Sequence, residues 1–149
     1  MTAIWHTRPD LEALNALHRA SAVERLGIAL VEVGDDFLRA SMPVDARTMQ
    51  PFGLLHGGAA ALLAETVASA AANHCVDPAR AMCVGLEINC NHLRGVRDGV
   101  VTATARPLHV GNRTQVWEIR IEDAAGRLVN VARLTSTVVD RPAGAGQRA

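Results

Sequence analysis

The chain has no tyrosine, two phenylalanines and two tryptophans. Stacked aromatic platforms for a nucleic-acid single strand are therefore not expected. It also lacks excess charge. Fifteen basic residues balance fifteen acidic ones, so there is no broad basic face for nucleic acid. The strongest basic cluster, Arg94 with Arg97, is too small to read as a DNA-binding stripe. Cysteine is sparse: Cys75, Cys83 and Cys90 make an odd count with no C-x-x-C pair. Free thiols in a reducing compartment are the expectation. The N-terminus MTAIWHTRPDLEAL has no basic segment followed by an apolar core, so export is not expected. The apolar run from Gly57 to Ala72 is divided by Glu65 and falls short of the ~20 residues that a membrane span needs. A soluble cytoplasmic protein with no nucleic-acid and no membrane partner follows. Neither H-x-x-x-H, H-E-x-x-H nor C-x-x-C occurs, so no metal site is expected. Phosphate-cradling G-x-x-x-x-G-K-[ST] and G-x-G-x-x-G are missing too, and Ser69 is not in a G-x-S-x-G elbow.

What is present is one domain's worth of chain, 149 residues. Asp10 is placed to cap a helix running to about Ala20, with Leu11, Leu14 and Leu17 near helical spacing. Leu26 to Val33 and Phe37 to Met42 read as strands around the turn-forming Gly34-Asp35-Asp36. An irregular stretch, Pro43 to Phe52, leads to HGGAAALLAETVASAAANHC, His56 to Cys75, rich in strong helix formers. A helix apolar nearly all round is a buried helix. Four further strands are expected: Met82–Leu93, Val100–Leu108, Val116–Asp123 and Leu128–Val139. The first has Val84, Leu86, Ile88 and Cys90 alternating with Glu87, Asn89 and Asn91. The third has Trp117, Ile119 and Ile121 alternating with Glu118, Arg120 and Glu122. Asp123-Ala124-Ala125-Gly126 supplies a hairpin turn. Residues 1–139 form a single domain in this reading, and the tail 140–149 (DRPAGAGQRA) has almost nothing to bury and is expected to be disordered. The fold class is α+β, a curved antiparallel sheet wrapped around one long helix, with a second subunit available to cover what the sheet does not.

Glu65 is the one formally charged residue between Arg47 and Asp77. A carboxylate in so apolar a helix costs several kcal/mol unless it is paired, protonated or put to use. Ser69, one turn on, shares its face and could hold a water beside it. The pair reads as a general base or nucleophile with its water-positioning partner. His56-Gly57-Gly58 opens the same helix. The Gly57 N–H at a helix start could serve as an oxyanion donor, or the tripeptide could be a plain turn with His56 as cap. Eight residues separate Gly57 from Glu65, or about 12 Å along a helix. One carbonyl cannot touch both, so a shared reacting centre requires two chains with antiparallel helices. Gln50 could donate to a carbonyl, and His92, ending a strand, could act as acid, base or ligand to a leaving group.

These residues sit in segments that resemble a known family. QPFGLLHGGAAALLAETVASAAA, with MPVDARTMQPFG, VGLEINCNHLR and RPLHVGNRTQVWEIRIEDAAGRL, resembles the hotdog-fold acyl-CoA thioesterases. The match is to the 4-hydroxybenzoyl-CoA and phenylacetate-pathway type. Within it, the branches that cleave 1,4-dihydroxy-2-naphthoyl-CoA and that proofread enterobactin synthesis are especially similar. The resemblance spans roughly Leu26 to Val139. It implies that Glu65 is the catalytic carboxylate, that Gly57 polarises the thioester carbonyl and that Gln50 and His56 orient it. Ser69 would hold the attacking water, and His92 would lie near the sulfur. It further implies that Gly85, the segment His92, Leu93, Arg94, Gly95, and the segment His109, Val110, Gly111, Asn112, Arg113, Thr114 line the CoA, with Arg94 and Arg113 near its phosphates. An acyl-CoA or an acyl carrier protein would be the substrate, no cofactor would be needed, and dimers would pair into a homotetramer. Ala59, Ala60 and Ala61 replace bulkier or hydroxyl side chains of relatives, and 73–81 is not a clear match; both bear on the acyl pocket. A hotdog dehydratase would leave the thioester intact, and a stand-alone acyl-CoA-binding regulator would need an attached DNA-binding segment.

Overall fold

A computed structural model describes residues 3–141. Asp10 caps α1 (Leu11–Leu17), its carboxylate accepting from the N–H groups of Glu12 and Ala13, donors that a helix start leaves free. The helix stops short of Ala20, because Ala20 takes a positive φ of 57° and turns the chain into a short α2 (Ala22–Arg25), capped by Ser21. The hydrophobic spacing does not foretell that second helix. Asn15 ties α1 to the sheet, donating to the Leu30 carbonyl and accepting from the Leu30 N–H, each at 2.9 Å.

Six strands make one antiparallel sheet: β1 (Ala29–Val33), β2 (Leu38–Pro43), β3 (Ala81–His92), β4 (Val100–Val110), β5 (Thr114–Asp123) and β6 (Leu128–Asp140), in the order β1-β2-β4-β5-β6-β3. The sheet curves around α3 (Gly57–His74), which is the hotdog arrangement the sequence led us to expect. Trp117, Ile119 and Ile121 of β5 face the helix and are fully buried, each worth about 1.5–3 kcal/mol on removal from water. Gln115, also buried, accepts from the Trp117 indole at 3.0 Å and donates to the Ala72 carbonyl at 3.4 Å, so it closes the end of α3 against the sheet.

Three points bear on these expectations. First, the sheet covers one face of α3 and leaves the other, the part of the cover for which a second subunit was available. Ala59, Ala60, Leu63, Ala64, Val67, Ala68, Ala71 and Ala72 are buried, while Ala61, Leu62, Glu65, Thr66, Ser69 and Ala70 form a half-buried stripe on the other face. One sheet can wrap only one side of a cylinder. Second, Val84 and Leu86 do not share a face with Ile88 and Cys90. A bulge between Gly85 and Glu87 inserts an extra residue and flips the alternation. Cys83 is buried before it, and Ile88 and Cys90 pack against the core after it, while Val84 and Leu86 are 41% and 64% exposed. Third, Asp140 closes β6 opposite Ala81, and the Arg141 N–H donates to the Arg80 carbonyl at 2.9 Å, so the ordered chain outlasts Val139. The rest of the expected disordered tail, 142–149, lies outside the described residues. No helix among the described residues is long and apolar enough to cross a membrane.

Candidate active site

At the start of α3, His56 is the N-cap. Its Nδ1 accepts from the Gly58 N–H at 2.8 Å, so a neutral ring carries its proton on Nε2. The His56 N–H is taken by the Thr48 carbonyl. Gly57 follows as the first helical residue, and its own N–H has no intrahelical partner to use. The glycine is required by a close approach: a Cβ there would stand 2.9 Å from Nε2 of His92. Gln50 accepts from the Phe52 N–H through Oε1, leaving its amide nitrogen free to donate. Gln50, Gly57, His92, Leu93, Arg94 and Gly95 line one cleft.

Glu65 lies two turns further along, on the uncovered face. Ser69 Oγ donates to its Oε1 at 3.2 Å, and no arginine pairs with it among the described residues. The carboxylate occupies the space that a side chain at position 85 would fill, since a Cβ on Gly85 would come within 2.6 Å of Glu65 Oε1. Gly85→Ala is therefore expected to displace the carboxylate rather than the strand. An ångström-scale misplacement costs activity on the order of 10²-fold, so turnover should fall far more than the melting temperature; equal turnover would show that the carboxylate tolerates the shift. Glu65 and Ser69 open onto a cavity of about 510 Å³, walled on its far side by α1 and α2 through Leu14, Leu17, His18 and Val23. Burial pushes the His18 imidazole below its ordinary pKa, and its Nδ1 has no partner among the described residues.

The two ends do not meet within one chain. Gly85 to His92 spans roughly 20 Å of strand at ~3.3 Å per residue. The His109–Thr114 turn lies at the Gly85 end, because Thr114 pairs with Thr137, which pairs with Val84. His109, Val110, Asn112, Arg113 and Thr114 are exposed there. Sequence resemblance assigned one CoA to Gly85, His92–Gly95 and His109–Thr114; a single protomer brings together Gly85 with His109–Thr114, and separately His92–Gly95 with Gly57 and Gln50. Sequence reasoning also missed Asn130. It is fully buried, and its Nδ2 lies 2.8 Å from His92 Nδ1. The signal was available: strict alternation through Asn130, Ala132 and Leu134 puts an amide on the core face.

The family model of the thioesterase superfamily matches residues 52–130, which include Glu65, Ser69, Gly57 and His92. The chain belongs to that superfamily. As a thioesterase, it is 49% identical over 136 residues to the 1,4-dihydroxy-2-naphthoyl-CoA hydrolase of Escherichia coli, covering 91% of this chain and 99% of the relative. It is 47% identical over 136 residues to the proofreading thioesterase EntH of Cronobacter sakazakii, covering 91% and 98%. Among solved structures, it superimposes on a mutant thioesterase from Pseudomonas aeruginosa with a TM-score of 0.92 at 51% identity, covering 93% of this chain and 100% of that one. The catalytic chemistry of this thioesterase is the hydrolysis of a thioester to an acid and a thiol.

Proposed function

We propose that the protein hydrolyses aromatic acyl thioesters of CoA, with 1,4-dihydroxy-2-naphthoyl-CoA as the leading candidate substrate. The observation that carries this reading is the half-buried Glu65 carboxylate with its Ser69 hydroxyl at the wall of a mostly apolar cavity of about 510 Å³. A planar acyl group fits such a chamber. Water held by Ser69 gives its proton to Glu65 as it attacks the carbonyl carbon. The carbonyl oxygen, turning anionic, accepts from the Gly57 N–H at the head of α3 and from the Gln50 amide. Collapse breaks the C–S bond, and the thiolate leaves beside His92, whose Nε2–H donates to it. Should Glu65 attack directly, the same water would hydrolyse the resulting anhydride.

The catalytic unit is a homodimer in this reading. Glu65 faces the uncovered side of α3, and Gly57 is two turns away, so each site takes Glu65, Ser69 and Gly85 from one protomer and Gln50, His56, Gly57 and His92 from its partner. The CoA arm would then run from His92–Gly95 of one chain to His109–Thr114 of the other, with Arg94 and Arg113 toward its phosphates. Two such dimers pair into a homotetramer, and the protein works in the cytoplasm. An aryl group on a carrier protein is the second reading. It is favoured by nearly equal identity to a relative named a CoA-ester hydrolase and to one named a proofreading thioesterase. Thiol release across a panel of aroyl-, arylacetyl- and aliphatic acyl-CoA esters, with an aryl-loaded carrier protein alongside, tests both. Fastest release from the hydroxyaroyl-CoA members is expected. Release from aliphatic esters alone would remove the aromatic assignment, and release from the carrier protein alone would move the function to proofreading.

A further inference from the structure

His92 ends β3 directly opposite Asn130 of β6. Asn130 is completely buried, flanked by Val129, itself 3% exposed. A buried amide in an apolar strand is costly unless it makes its hydrogen bonds. Nδ2 lies 2.8 Å from Nδ1 of His92, while Oδ1 is buried with no partner among the described residues. The orientation of the amide follows from that inventory. Turned over, it would bury an NH₂ group with no acceptor where Oδ1 now lies, and orphaned N–H groups are rarer than under-satisfied carbonyls.

We propose that Asn130 is the positioning residue that fixes the tautomer of the His92 ring, with Nδ1 bare and the proton on Nε2, and aims that N–H at the start of α3. An amide nitrogen only donates, so Nδ1 of His92 must accept and must be bare. The proton of the neutral ring is then on Nε2. That is the atom standing 2.9 Å from where a Cβ on Gly57 would be, beside the free Gly57 N–H. The result is a fixed donor at the position where the proposed reaction needs a proton for the leaving sulfur. Nothing in the resemblance named position 130. The inference rests on the proposed role of His92 for its catalytic meaning, but the tautomer itself does not.

The experiment has two arms. Nitrogen-15 spectra of the imidazole side chains in the native dimer or tetramer, with His92 identified by its loss in His92→Gln, read the tautomer with no substrate present. The expected signal is a bare Nδ1 and a protonated Nε2; a protonated Nδ1 overturns the proposal. Asn130→Leu, close in size and without a donor, is then assayed for thiol release. One lost hydrogen bond predicts a fall in kcat of about 10-fold with KM changed much less, together with loss of the single tautomer. Unchanged kcat and an unchanged tautomer in folded Asn130→Leu overturn it as well. Failure of the native protein to cleave any thioester sinks the proposed function instead, and the spectrum still judges Asn130.

Discussion

Glutamine in place of Glu65 is expected to lower turnover of a hydroxyaroyl-CoA by roughly 10²–10⁴-fold, the range a general base supplies. The exchange keeps the size of the side chain. A glutamine oxygen can still accept from Ser69, and the amide fills the same space over Gly85 that the carboxylate fills at 2.6 Å from a would-be Cβ. What disappears is the ability to take a proton from water or to attack as an anion. Stability should not fall with activity. Removing a half-buried charge with no cationic partner among the described residues relieves a desolvation cost, and active-site groups commonly trade stability for function. The measurement is thiol release together with a thermal melt. A folded Glu65→Gln protein with near-native turnover would remove the mechanism; a fall in turnover with an equal or raised melting temperature is the expected pair of results.

Two inactive variants are expected to restore activity when their subunits are mixed. In the proposed homodimer, Glu65→Gln and His92→Ala are each expected to disable both sites. In a mixed dimer, one site combines Glu65 of the His92→Ala chain with His92 of the Glu65→Gln chain, and the other site holds both changes. Random exchange makes half of the dimers mixed, each with one intact site of two, so about a quarter of native activity returns under two-fold symmetry. The physical basis is the length of α3. Gly57 and Glu65 stand about 12 Å apart on a helix rising ~1.5 Å per residue, and His92 sits at the Gly57 end. Mixing after partial denaturation and refolding, with each variant refolded alone as control, reads the result. Persistent inactivity in verified mixed dimers would put both groups to work within one chain and would require a substrate spanning both clefts.

Much of this architecture was legible because its causes are local. Asp10 caps a helix because a carboxylate can reach the N–H groups of the two and three residues after it. Trp117, Ile119 and Ile121 face the core because a strand alternates at period two. Glu65 stood out because charge in an alanine-rich helix is dear. The failures are of another kind. The bulge at Gly85 and Leu86 reverses the faces of β3, and no periodicity in the strand announces an extra residue. The glycine beside it has a tertiary reason: the Glu65 carboxylate sits where a side chain at 85 would be. Ala20 at a positive φ ended α1 early, although alanine carries no turn signal. Asn130 escaped because its partner, His92, is 38 residues away, and only the pairing of β3 with β6 brings them face to face.

The class of the molecule is written along the chain: an antiparallel sheet around one apolar helix, a lone carboxylate with a hydroxyl one turn on, a glycine-led helix start, and the family those segments belong to. Each follows from residue chemistry read over a few turns of helix or a single strand. Which groups meet is set by the folded sheet and helix together. The fold left one face of α3 uncovered, set Glu65 against Gly85 and a cavity, set Gly57 against His92 and Asn130, and kept those two clusters two helical turns apart. Contacts between distant segments depend on strand order and register, which are settled by the packing of the whole sheet and not by any stretch of it.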